Sequence, residues 1–350
     1  VIRTPRTDLI VFGVPMVDGD LFFDRDIFDD SEELALYGEV GYRFTDKAKF
    51  TVGYRRANLK LDSGVLRADG VFDAFVAAGS AAIGDDESTE EDVDVYKFHF
   101  EYTFNEDMLG YAVASSGYRA GGFNRGGIRT PSSKYESDSL WNYEVGVRSS
   151  WLDNRLIVNT VAYYIDWTDI QLRAFALDAL AQRIQNVGKA SSLGLETEIR
   201  YQATESLQLS VNYGYIDATL DSDVETNGTI LAEDGDRLPG SNKHNVSVFA
   251  DWQMPITSEL DFQANVSYSY VSSRKPDLDN SNLSIPEAPS GDVVNLSAGL
   301  AHQNGVSVSL YANNLLDDRN IQVFSPHGTA LEGANMNRPR TIGIRAGYKF

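Results

Sequence analysis

The strongest constraint in this chain is an alternation with a period of two. Successive side chains of a β-strand point to opposite faces, and here one face is systematically apolar and aromatic. In residues 95 to 104, Tyr96, Phe98, Phe100, Tyr102 and Phe104 fall on one side, and Lys97, His99, Glu101 and Thr103 on the other. The pattern recurs with Phe50, Val52 and Tyr54, with Trp141, Tyr143, Val145 and Val147, and with Leu195, Thr197, Ile199 and Tyr201. It returns at Leu207 to Tyr215 and Leu260 to Tyr270, and the chain closes on Ile342, Ile344, Ala346, Tyr348 and Phe350. Residues 155 to 167 carry apolar groups at both parities, so a strand is predicted there without a facing.

The connections carry a second regularity. Hairpin-sized polar turns stand at Thr45-Asp46-Lys47, Asn105-Glu106-Asp107, Leu152-Asp153-Asn154, Thr204-Glu205-Ser206, Pro255 to Ser258 and Gln303-Asn304-Gly305. Long segments rich in Gly, Asp, Asn, Ser and Pro lie between them, so short and long connections alternate. Thirteen strands are predicted, at 34–44, 49–60, 93–104, 108–119, 140–150, 155–167, 192–203, 207–217, 244–253, 259–271, 292–302, 306–314 and 339–350. A soluble sandwich has no reason to sort its turns to one end and its long loops to the other. An antiparallel transmembrane β-barrel does, with short periplasmic turns and long extracellular loops. Lipid offers no hydrogen-bond partners, so the sheet must close on itself. Thirteen is odd, and the missing strands are expected before residue 34.

Composition narrows the field. With 51 acidic and 30 basic residues in 350, the formal charge is −21, and a nucleic-acid partner is not expected. No stretch approaches the ~20 apolar residues of a membrane helix. There is no cysteine, and His99, His244, His302 and His327 are too scattered for a zinc motif. Nucleophile, metalloprotease and phosphate-loop motifs are missing, so an enzyme is not expected. The chain opens at Val1 without a signal-peptide pattern, as a fragment or processed product would.

The chain resembles the C-terminal part of the barrel of TonB-dependent outer-membrane receptors. The resemblance is carried in order by LYGEVGYRFT (Leu36 to Thr45), FTVGYR (Phe50 to Arg55), SGYRAGGFN (Ser116 to Asn124) and NYEVGVR (Asn142 to Arg148). It continues through NVGKASSLGLETE (Asn186 to Glu198), LPGSNKHN (Leu238 to Asn245), LYANNLLD (Leu310 to Asp317) and the terminal AGYKF (Ala346 to Phe350). It implies about 13 C-terminal strands of a 22-stranded barrel in the bacterial outer membrane, its lumen closed by an N-terminal plug. Neither the plug nor the segment that contacts TonB is visible here. Residues 1–33 then read as an acidic extracellular loop segment, and residues 34–350 as barrel.

The implied function is uptake of a scarce nutrient, most commonly a ferric siderophore, with energy supplied through the TonB complex. Receptors for cobalamin or oligosaccharides and a passive porin-like or structural barrel are the alternatives. No cofactor is expected. The remaining partners implied are outer-membrane lipid, lipopolysaccharide and the barrel assembly machinery, which reads endings like Tyr348-Lys349-Phe350. An ordinary edge strand is the alternative for that ending.

Individual residues follow from strand parity and the resemblance. Lys97, His99, Glu101, Glu144, Arg148, Glu196, Glu198 and Arg200 are expected to face the lumen, as plug contacts or as ion pairs of the wall. Tyr118, Asn124 and Arg125 are candidate ligand contacts at a strand end able to bulge at Gly121-Gly122, with loop placement as the plainer role. Parity is read as placing Tyr118 inward and Arg119 outward, near lipopolysaccharide phosphates. Three acidic clusters, 18–33, 85–94 and 217–236, read as solvated loops outside the strands. The second offers Asp85, Asp86, Glu87, Glu90 and Glu91 as a calcium candidate without the spacing of a known loop. Trp141, Trp151, Trp167 and Trp252 suit interfacial girdles, with core packing as their alternative.

Overall fold

A computed structural model describes residues 2–3, 10–11, 14–15, 21–69, 86–124, 133–176, 181–226, 229–275, 287–327 and 331–349. Thirteen long strands form one sheet in chain order, every neighbour antiparallel. They are β1 (Leu21–Arg43), β2 (Ala48–Asp69), β3 (Glu87–Asn105), β4 (Met108–Arg119), β5 (Asp138–Trp151), β6 (Leu156–Thr168) and β7 (Lys189–Thr204). The series continues with β8 (Leu207–Leu220), β9 (His244–Pro255), β10 (Leu260–Val271), β11 (Gly291–His302), β12 (Val306–Asn313) and β13 (Thr341–Tyr348). Ile2–Arg3 adds a short fourteenth segment beside β1. Among the described residues small hairpins lie in four of the long connections, such as Gly122–Asn124 with Ser133–Tyr135, and Gln171–Ala176 with Ala181–Asn186.

The sheet has almost no interior of its own. Among the described residues only eleven apolar side chains are buried, most of them small or in the loops. The large ones stand exposed on one face: Phe98 at 39%, Val145 at 59% and Leu310 at 60%. Water would penalise such a surface at about 25 cal/mol per Å², whereas hydrocarbon would not. On β3 the two faces alternate residue by residue, with Tyr96, Phe98, Phe100, Tyr102 and Phe104 exposed and Lys97, His99 and Glu101 half-buried.

Register settles the strand that the sequence left open. On β6, Tyr164 pairs with the outward Tyr143 and Leu193, while Tyr163 pairs with the inward Glu144 and Gly194. Ile157, Val161, Tyr163 and Ile165 therefore line the inner face despite being apolar.

The first three strands run longer than predicted, and this corrects the reading of two acidic clusters as loops. Residues 24–33 lie within β1 and residues 87–94 within β3. No structural break falls at residue 33. On β2 the outward positions read Phe50, Val52, Tyr54 and then Arg56, Asn58, Lys60, Asp62. The inward ones read Thr51, Gly53, Arg55 and then Ala57, Leu59, Leu61, Ser63. The polarity of the faces inverts after Tyr54, so a search for outward apolar residues stops too soon.

Ladder hydrogen bonds and outward ion pairs hold this extension in water. Arg56 bridges Asp92 at 2.8 Å and Asp94 at 3.2 Å, and Lys60 meets Asp62 at 2.8 Å. The hydrogen bond from Asn58, seconded by the Arg56 charge, holds the Asp92 carboxyl below its ordinary range. The third cluster is split as well, since Asp217 lies on β8 and the rest beyond it.

Candidate functional site

The inner face is a polar wall built from alternate residues of neighbouring strands. Lys97 reaches across Gly53 to Glu39 at 2.9 Å, and Lys49 pairs with Glu101 at 3.4 Å. A Cβ at 53 would lie in ordinary contact with this bridge, 3.4 Å from Lys97 Cβ. Arg55 pairs with Glu33. His99 sits edge-on to Tyr111, which donates to Glu144 at 2.6 Å. Glu198 accepts from Asn159 at 3.2 Å and from Arg200 at 3.0 Å. A groove of about 580 Å³ runs along this wall past Tyr111, Arg148, Asn159, Glu196, Glu198 and Asn212. The eight residues expected to face the lumen thus share one face, and six of them join these contacts directly.

At the end of the sheet bearing the long connections, a clasp gathers residues distant in sequence. Asp138, 2% exposed at the start of β5, accepts from Arg119 N at 3.1 Å, Arg119 Nε at 2.8 Å and Gln171 N at 3.0 Å, and also pairs with Arg119 Nη2. The Arg119 guanidinium lies 4.6 Å from the centre of the Trp167 ring. Gln171 Nε2 donates to the carbonyls of Ala120 and Glu136, both at 2.9 Å. Asn186 Nδ2 donates to the carbonyls of Glu136 at 2.9 Å and Asp169 at 2.8 Å. Behind the clasp, Ile170, Val187, Ala190, Leu220, Val224, Leu231 and Ala232 form a small apolar core against Trp167 and Leu238.

This geometry corrects the facing read for the 118–125 segment. The ladder between β4 and β5 is unbroken and sets Tyr118 opposite Ser139 and Arg119 opposite Asp138. Tyr118 shares the face of Tyr143 and Val145, and Arg119 turns inward to a buried carboxylate. Outward Ala112, Ala114 and Ser116 are too small to mark a face in the sequence. Asn124 Nδ2 donates to the Ile184 carbonyl at 2.6 Å and its Oδ1 accepts from Ile184 N at 2.7 Å, so its amide staples two hairpins. Arg125 lies outside the described residues. Gly121 has no room for a side chain, because a Cβ would stand 2.6 Å from the Tyr135 carbonyl oxygen.

Strand parity also divides the calcium candidates. Glu90 faces outward to Asn58 at 2.9 Å, whereas Glu91 faces inward to Gly121 N at 3.2 Å. Asp85 lies outside the described residues. Among the described residues no group of three or more His, Asp or Glu side chains is arranged to hold a metal. Of the tryptophans, Trp141, stacked between Tyr96 and Tyr143, and Trp151 and Trp252, 50% and 46% exposed, lie on the apolar face. Trp167 takes the alternative role and packs on the loop core. The clasp residues Asp138, Gln171 and Asn186 carry no signal in sequence, since their meeting depends on three separate connections. Tyr348 is exposed on the apolar face and Phe350 lies outside the described residues.

Comparison with known proteins turns this geometry into a family. The model of the TonB-dependent receptor-like β-barrel matches residues 7–315. The chain belongs to the TonB-dependent receptors. It is an integral β-barrel protein of the outer membrane, and its exposed apolar face is the lipid face.

Among curated relatives, the pesticin receptor of Yersinia pestis is 21% identical over 323 residues, covering 91% of this chain and 44% of that protein. The metal-pseudopaline receptor CntO of Pseudomonas aeruginosa is 27% identical over 209 residues, covering 60% of this chain and 27% of that one. Among solved structures, the ferric yersiniabactin uptake receptor FyuA from Yersinia pestis superposes with a TM-score of 0.76 at 19% identity, over 94% of this chain and 47% of that one. The chain therefore spans less than half the length of these relatives.

Proposed function

We propose that this chain is the C-terminal barrel portion of a receptor that binds a ferric siderophore at its extracellular hairpins and imports it with energy delivered through TonB. One observation carries the reading: the chain aligns over 91% of its length with a curated receptor and superposes over 94% on one described as taking up ferric yersiniabactin. The physical arrangement supports it. A lipid-facing apolar surface encloses a polar wall, and the loop ends are tied down by the Asp138 clasp, as a binding vestibule requires. The activity is binding and passage, with no bond made or broken.

In this reading Lys97, His99, Glu101, Glu144, Arg148, Glu196, Glu198 and Arg200 face an N-terminal plug, through which TonB acts. Arg125 is the ligand contact of its segment, with Asn124 tying the hairpin beside it to Ile184. Tyr348 and Phe350 are read by the assembly machinery, and lipopolysaccharide borders the outer face. A second reading, a receptor for a different metal chelate, is favoured by the match to the metal-pseudopaline receptor.

The test is uptake of radiolabelled iron from a panel of siderophores by iron-limited cells. Deleting the gene for the intact receptor should abolish uptake of one of them, as should loss of TonB. Unchanged uptake across the panel, with ion conduction by the purified intact protein, would replace the reading with a passive pore.

A further inference from the structure

The inner wall changes character part-way round the sheet. On β1 to β7 it carries long charged side chains, among them Lys49, Lys97, Glu101, Glu144, Arg148 and Glu196. On β8 to β12 it does not. The ladders there carry the inward set from Asn212 through Ser247 and Ser269 to Val293, and from Ser210 through Phe249 and Ser267 to Asn295. The sector ends on Ser307 and Ser309 of β12. Among the described residues the only charged groups on the inner face of these five strands are Asp251 and Asp261, both toward the short-turn ends of β9 and β10.

This sector keeps its polar groups to itself. Asn265 Nδ2 donates to Ser297 Oγ at 2.9 Å, and Asn295 Nδ2 to Ser267 Oγ at 3.1 Å. The four residues are two neighbouring ladder pairs with Asn and Ser exchanged between β10 and β11. Each amide is thereby held along the wall by a short hydroxyl residue. Gly214, Asn245 and Gly291 head the sector at the end of the long connections. At the short-turn end it opens on a groove of about 330 Å³ lined by Gln208, Asp251, Gln253, Gln263 and Asn265.

The contrast matters for anything that has to move along the wall. Passage requires contacts weak enough to be left again and repeated closely enough to hand a solute on. A fixed charge acts on a charged solute over several ångströms, holding it when the signs differ and turning it back when they agree. Neutral hydroxyl and amide groups exchange their hydrogen bonds with water at small net cost. A chelate of a hard metal ion carries ionised oxygen donors, so it would be caught along β1 to β7 and released along β8 to β12. Short side chains also leave more of the lumen free on this side.

We infer that the nutrient's way through the lumen follows the uncharged wall of β8 to β12, from the loop end down to the groove at Asp251. The inference rests on the uptake reading above and adds to it which side of the barrel carries the passage.

Cysteine accessibility in living, iron-limited cells tests it. S247C and S309C each place one thiol on the uncharged wall, and V113C and V161C on the charged one, in a chain with no cysteine of its own. Intact receptors carrying each substitution are exposed to fluorescein maleimide while the cells take up the radioiron siderophore complex that the uptake panel selects, and again in cells lacking TonB. The unsubstituted receptor gives the background. Labelling of S247C and S309C should be several-fold faster with TonB than without it, and labelling of V113C and V161C the same in both. An equal gain on both walls, a gain confined to V113C and V161C, or no gain at any position while iron enters would overturn the inference alone. Failure of the unsubstituted receptor to take up any complex of the panel would instead remove the uptake reading on which it rests.

Discussion

The ring of Tyr163 on β6 lies flat over Gly194, its partner on β7, so closely that a Cβ at 194 would fall 2.0 Å from Tyr163 Cζ. The pairing turns an inward aromatic into cover for a bare stretch of backbone. Gly194→Ala should push the ring out of place and cost about 1–3 kcal/mol, the usual range for overpacking. Urea unfolding in detergent measures it. The Y163A/G194A double variant should be more stable than the sum of the single losses, and full additivity would show that the two residues do not interact.

Asp138 anchors the clasp with a buried carboxylate that accepts from two backbone amides and the Arg119 guanidinium. Asp138→Asn should lose roughly 1.5–3 kcal/mol of local stability, as for other hydrogen bonds to charged groups. The effect belongs to the loops, so limited proteolysis of intact cells should show faster cleavage between residues 120 and 190 while the barrel still assembles.

Facing can be tested with one pair of neighbours. Val145 is 59% exposed on the lipid face and Glu144 half-buried on the inner one. Val145→Arg should cost about 2–4 kcal/mol near the membrane midplane and deplete the protein from outer membranes. Glu144→Gln should leave its amount unchanged on the same immunoblot.

The last turn depends on a glycine. Gly305 has φ +94°, and a Cβ there would stand 2.1 Å from the Lys349 carbonyl oxygen, whose residue donates its N–H to the Gly305 carbonyl at 2.9 Å. Gly305→Ala should strain both the turn and the attachment of the C-terminus. Slower assembly, followed as the appearance of heat-modifiable folded protein on gels, is the expected outcome.

Asp317, in the connection after β12, accepts from Arg340 N at 2.8 Å, and this bond, helped by the Arg319 and Arg340 charges, holds its carboxyl below the ordinary 3.8. A depressed carboxylate pKa contributes stability above the unfolded value, and that contribution is lost as pH falls through the folded one. Hydrogen-exchange protection around Asp317 and Arg340, relative to the intrinsic rate at each pH, should therefore be steady from neutral pH down to about 4 and show a carboxylate-dependent loss only below the ordinary value. Asp317→Asn should remove that acid-dependent component.

Sequence by itself determined the strands wherever their two faces meet different media. Phe98 against Lys97 and Val145 against Glu144 report lipid on one side and water on the other, and the short turns report which end is which. The thirteen strands and their order, and the common face of the eight polar residues from Lys97 to Arg200, were legible for that reason. Tertiary structure decided the places where the contrast fails. Beyond Tyr54 the outward positions of β2 turn polar, from Arg56 to Asp62, and on β3 both faces are polar from Glu87 to Asp92, so the strands continue unseen. On β4 the outward residues are too small to mark a face, and only the ladder to β5 turned Tyr118 outward and Arg119 to Asp138. On β6 both faces are apolar, and the partners on β5 and β7 had to choose between Tyr163 and Tyr164. Period-two alternation records the surroundings of a strand, whereas register and the meeting of distant loops depend on hydrogen bonds between segments that no local pattern encodes.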